Sequence, residues 1–146
     1  MSNTIRLKGC GRYEEARANA ALSPGHLIEV LSTGKVRKHA TEGGLAERAF
    51  AIEDALQGNT VADAYAADDL VGYVLAAPGD EINAVIKAGE NIAIGDKLVS
   101  AGDGTLIKST SVSTSVTDPV VVAVAMEAVD LTDTGDVDTL GAVRVL

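Results

Sequence analysis

From Thr60 onward the sequence is a succession of short apolar segments, each closed by Gly, Asp or both. Leu70–Leu75 stops at Ala77-Pro78-Gly79-Asp80, Glu81–Ile86 at Lys87-Ala88-Gly89-Glu90, and Lys97–Ser100 at Gly102-Asp103-Gly104. Gly supplies the positive φ that tight turns demand and Asp bonds the backbone of its own turn, so this rhythm predicts strands joined by tight turns. Asp103-Gly104 in particular predicts a hairpin. Strands at this spacing build a small β-barrel or sandwich, so the expected fold is mainly β, in a single domain with at most one short helix. Residues 119–129 form the strongest strand, apolar on both alternating faces except at Glu127, and residues 142–146 a final short one. A strand apolar on both faces needs a second layer over it, in its own core or from a neighbouring subunit.

Upstream, Ser23-Pro24-Gly25 is a turn signal, and the runs 26–31 and 35–40, separated by Thr33-Gly34, predict two short strands. Residues 45–57 satisfy two periods at once. Leu45, Ala49, Ile52 and Leu56 fall at helical spacing, while Arg48-Ala49-Phe50-Ala51-Ile52 alternates as a strand does. The Ser/Thr/Val stretch 109–117 fits an edge strand or a loop. Residues 1–22 hold few large apolar side chains, which predicts an extended N-terminal arm ordered against something else, with 23–146 as the β-rich body.

Composition sharpens this picture. Apolar residues are 47% of the 146-residue chain and aromatic residues only 3%, so the core must come from Val, Ile, Leu and Ala, and aromatic stacking platforms are excluded. The net charge of -9 opposes phosphate backbones and anionic lipid, so neither nucleic acid nor a membrane is an expected partner. The charge is uneven: residues 1–48 sum to +3 and residues 49–146 to -12. The N-terminus is charged where a signal peptide needs an apolar run, and the apolar stretch 120–126 is far short of a membrane span. Cytoplasmic synthesis is the expectation.

Catalytic and metal signatures are weak. Cys10 is the only cysteine, so there is neither an intramolecular disulfide nor a CxxC zinc motif. His26 and His39 stand thirteen positions apart with no second ligand at helical spacing, and Ser113 and Ser115 lie outside any Gly-x-Ser-x-Gly elbow. The loop Asp130-Leu-Thr-Asp133-Thr-Gly135-Asp136-Val-Asp138 invites a calcium reading but lacks the EF-hand spacing and its Glu, and a turn rich in Asp, Thr and Gly explains it as well. Gly9-Cys10-Gly11 and Gly102-Asp103-Gly104 lack the Lys-Ser/Thr of a phosphate loop and read as corners. No cofactor is expected. Asp63, Tyr65 and Asp68 define an alternative, a trimeric β-barrel enzyme or small-ligand binder with its site at subunit junctions. The Asp63–Tyr65 spacing, however, is one residue short of the motif of trimeric dUTP-hydrolysing barrels.

One resemblance spans nearly the whole chain. Gly9-Cys-Gly11-Arg-Tyr13-Glu-Glu-Ala, Ser23-Pro-Gly-His26, Ala49-Phe50-Ala-Ile-Glu53-Asp-Ala-Leu-Gln57-Gly58, Ala64-Tyr65-Ala-Ala-Asp68-Asp69, Gly95-Asp96-Lys-Leu and Ala101-Gly-Asp-Gly104 follow in an order and spacing that resemble the small capsid decoration (cement) proteins of tailed bacteriophages. The resemblance implies a non-enzymatic structural protein, often a homotrimer, that binds the major capsid protein on the outer surface of the phage head and stabilises it as part of the virion. Residues suited to those roles are present. Arg6, Lys8, Arg12 and Arg17 on the arm are expected to pair with acidic capsid groups while Tyr13 anchors in a pocket, and Val120, Val122, Val124 and Met126 are expected to line the oligomer interface.

Overall fold

The computed structural model describes residues 3–146. In chain order its strands are β1 (Arg6–Lys8), β2 (Arg12–Arg17), β3 (Ile28–Val30), β4 (Val36–Lys38), β5 (Ala49–Ala51) and β6 (Leu70–Leu75). They continue as β7 (Glu81–Ile86), β8 (Asn91–Ile92), β9 (Lys97–Ser100), β10 (Leu106–Lys108), β11 (Val121–Ala125), β12 (Val129–Asp130) and β13 (Thr139–Val145). A single 3-10 turn at Ala55–Gln57 is the one helical element among the described residues. The mainly β expectation holds, and the architecture is a barrel.

The barrel closes because β7 is paired along both edges. The ring runs β7-β10-β9-β11-β13 and returns to β7. β13 lies antiparallel to β7 over six pairs, from Thr139↔Ile86 to Arg144↔Glu81. The other edge of β7 is shared in turn by three segments: the Asn83 N–H donates to the Ile5 carbonyl, that of Val85 to Gly25 and that of Lys87 to Leu106. Alternation then aims Ile82, Ala84 and Ile86 inward, where they join Leu98, Leu106, Val122, Ala123, Val143 and Val145 in one buried core. Ile5, Leu27 and Phe50 complete it from outside the ring. A second buried cluster, with Leu22, Ile28, Val36, Tyr65, Val71 and Tyr73, lies beneath the sheet β2-β6-β5 and the hairpin β3–β4.

The turns explain much of the acidity. At Asp63, Asp69, Asp80, Asp96 and Asp136 the Asp is the fourth residue of a turn, and its N–H donates to the carbonyl three residues earlier. Its carboxylate accepts the N–H of that same residue, at 2.7 Å from Thr60, 2.8 Å from Ala66, 2.9 Å from Ala77, 2.8 Å from Ala93 and 2.9 Å from Asp133. Each such carboxylate clasps its turn with a charge-assisted hydrogen bond. Gly102-Asp103-Gly104 closes the predicted hairpin between β9 and β10.

Several expectations are resolved or corrected. Residues 3–22 are ordered against the chain's own body: β1 pairs β7, β2 pairs β6 over six positions, and Ile5, Ala18 and Leu22 are buried. β2 needs no large apolar side chains because it is an edge strand held through its backbone, and its charges guard that edge against further pairing. Residues 45–57 are neither wholly strand nor helix, but the buried β5 followed by the 3-10 turn. The long strand 119–129 divides into β11 and β12, and β13 begins earlier than the pattern predicts, at Thr139. Residues 109–117 form turns, without a strand.

Candidate functional site

The cations of the N-terminal segment are largely matched within the chain. Lys8 Nζ lies 3.0 Å from Glu81, Arg12 Nε lies 2.6 Å from Glu14, and Arg17 Nη1 donates to the Asp68 carbonyl at 2.8 Å. The Lys8 ammonium holds the Glu81 carboxyl below its usual range against desolvation, with Arg144 adding to the lowering. Among the described residues Arg6 makes only a long contact, 3.4 Å, to the Gly11 carbonyl.

Val122 leaves the expected interface set. A bulge between Val121 and Ala123 breaks the alternation of β11, and Val122 and Ala123 are both fully buried in the chain's own core. Val120, Val124 and Met126 remain half-buried.

Tyr13 stands beside a groove of 680 Å³, at the meeting of β2, β6 and the segment 52–69. Gly72 of β6 makes room for it: a Cβ there would sit 2.8 Å from the Tyr13 hydroxyl and 3.0 Å from its ring. The hydroxyl donates to Glu15 at 2.7 Å, and desolvation followed by that bond raises the Tyr13 pKa to about 12. Tyr65 also lines the groove and donates to the Ile52 carbonyl at 2.6 Å. Its pKa is likewise raised to about 12, by desolvation first and then by the charge of Asp54. Among the described residues five carboxylates, Glu15, Glu53, Asp54, Asp63 and Asp69, share the lining with a single cation, Arg6. Glu53 accepts from the Thr4 hydroxyl and the Ile5 N–H, and Asp63 and Asp69 clasp turns. Leu56 on the 3-10 turn is 97% exposed, and Leu70 is 52% exposed.

Asp63 and Tyr65 thus share this groove, whereas Asp68 is ion-paired with Lys35 at 2.6 Å. No sequence motif marks the groove, since its walls come from four separated stretches. The available signal is that Tyr13 and Tyr65 are half of the four aromatic residues in the chain.

The histidines serve packing. His39 is buried, its Nδ1 2.7 Å from the Ser100 hydroxyl and its Nε2 3.1 Å from the Leu45 carbonyl. The carbonyl can only accept, so Nε2 carries the proton and Ser100 donates to Nδ1. Ser100 is fully buried, and the pair bridges β9 to the loop after β4. His26 Nδ1 accepts the Ser23 N–H at 2.9 Å, and burial, reinforced by the charge of Lys38, lowers its pKa to about 4. In the acidic loop 130–138 the carboxylates bond nearby groups: Asp130 accepts from Thr132, Asp136 from Asp133 and Asp138 from Ala88. Among the described residues no cluster of three or more His, Cys, Asp or Glu is placed to hold a metal ion.

No known protein family matches the sequence, and no curated protein is similar to it at a significant level. Among solved structures the chain is similar to the head fiber gp8.5 N base of bacteriophage phi29, with a TM-score of 0.58 and 15% sequence identity. The match covers 94% of this chain and 95% of that one. At that identity the likeness is one of fold, and it extends over almost the whole of both chains.

Proposed function

We propose that this chain is a structural protein of a tailed-phage virion, seated on the outer surface of the head, where it binds the major capsid protein and cements neighbouring capsid subunits. The observation that carries the reading is the fold shared, over 94% of the chain, with the base of a phage head fiber. The order of turn motifs that resembles capsid decoration proteins supports it from an independent direction. Self-association as a homotrimer belongs to the same proposal, with Val120, Val124 and Met126 as the available apolar positions of the β11 region. Repetition over a lattice would then let weak contacts act together, because tethered sites raise one another's effective concentration.

The test is co-sedimentation of the purified chain with heads of the phage that encodes it, prepared without this protein, together with imaging of native particles. Many copies on the outer shell are expected. Recovery only in the soluble fraction would overturn the proposal.

A further inference from the structure

Exposed apolar side chains are costly to leave in water unless something covers them, and three of the large ones gather at one place. Tyr13, Leu56 and Leu70 all border the groove between β2, β6 and the segment 52–69. Leu56 is held on a 3-10 turn with its side chain in solvent, buried against nothing in its own fold. The groove itself is concave and large enough for several side chains. Its charge is one-sided: five carboxylates face one guanidinium, and Asp54 makes no hydrogen bond through its side chain to any described residue. Phosphate, carboxylate and anionic lipid are repelled by that field. A cationic group is attracted, and a neighbouring apolar side chain would cover Leu56 and Leu70.

We propose that this groove is a docking site for an extended cationic segment of another protein, one that carries Lys or Arg beside apolar residues. The inference goes beyond head attachment, because the chemistry of the ligand follows from the groove alone. It also inverts the charge relation expected of the N-terminal segment: the recognition surface next to β2 is acidic, and the partner supplies the positive charge.

The test is fluorescence anisotropy of the full chain with two labelled probe peptides, one alternating Arg and Leu, the other alternating Glu and Leu. The Arg–Leu probe is expected to bind and the Glu–Leu probe not to. Asp54→Asn with Asp69→Asn is expected to weaken Arg–Leu binding about tenfold, and Leu56→Ser severalfold. Asp118→Asn with Glu127→Gln makes the same change in net charge away from the groove and is expected to alter binding by less than about twofold. Asn at position 69 keeps an acceptor for the Ala66 N–H, so circular dichroism of the double variant is expected to match the wild type. Equal weakening by the two pairs of substitutions, or failure of the Arg–Leu probe to bind in preference to the Glu–Leu probe, would overturn the proposal. Either result leaves head co-sedimentation, the test of attachment, untouched.

Discussion

His26 makes the fold sensitive to acid in a defined window. Its imidazole has an ordinary pKa of 6.5 in the unfolded chain and about 4 in the folded one. Between those values the unfolded state binds more protons, so the stability contributed by the neutral ring is complete above pH 6.5. It is lost as the pH falls from there towards 4. Integrating the linkage from pH 7 to pH 4.5 gives a loss of about 2 kcal/mol, and with a urea dependence of ~2 kcal/mol per M this lowers the unfolding midpoint by about 1 M. The lower limit matters, because Asp103, whose desolvation is outweighed by the combined bonds of Lys87 and Thr105 so that its pKa falls to about 2, stays ionised at pH 4.5 and adds little. His26→Asn is the informative variant. Its amide oxygen can still accept the Ser23 N–H, but it cannot titrate. Urea unfolding of both proteins at pH 7 and pH 4.5, at one protein concentration, is expected to show the midpoint shift in the wild type and most of it absent in His26→Asn. An undiminished shift in the variant would refute the assignment.

Four further outcomes are expected. Gly9 has φ +123, and a Cβ there would overlap the Asp80 carboxylate, so Gly9→Ala should cost about 3 kcal/mol by thermal or urea unfolding. Asp80→Ala removes the overlapping carboxylate, though its own Cβ stays 2.8 Å away, together with the acceptor of the Ala77 N–H, so the double variant should be less destabilised than the sum of the singles by about 1 kcal/mol. Strict additivity would count against the close approach. Phe50→Ala, at a fully buried position of the main core, should lose about 3–5 kcal/mol in the same assay. Deletion of residues 1–20 should lower the thermal midpoint by more than about 10 °C, because it removes β1, β2 and the buried Ile5. A truncated chain that melts like the full one would show that these strands are dispensable.

The parts of the fold legible in sequence were those whose cause is local. Asp103-Gly104 specifies its hairpin within a few residues, and Thr33-Gly34 joins β3 and β4 as its composition predicts. The five aspartate clasps follow the Gly and Asp punctuation for the same reason. What sequence missed has a non-local cause. β2 is bound through main-chain groups that every residue carries, so Arg12–Arg17 bears no side-chain mark of its pairing with β6. The bulge that buries both Val122 and Ala123 depends on the register of β11 against β9. The acidic groove is assembled from residues as far apart as Arg6 and Gly72.

The two-sided pairing of β13 has a mechanical consequence. Six of its seven residues, Thr139–Arg144, pair with β7 on one edge and the last three, Val143–Val145, pair with β11 on the other, and Arg48 reaches the carbonyl of Leu146 from a third direction. A pull on Leu146 along the strand axis would load both ladders in shear, so their bonds must break together and cannot open one at a time. Tension applied at the C-terminal strand would thus pass into the barrel through two ladders at once.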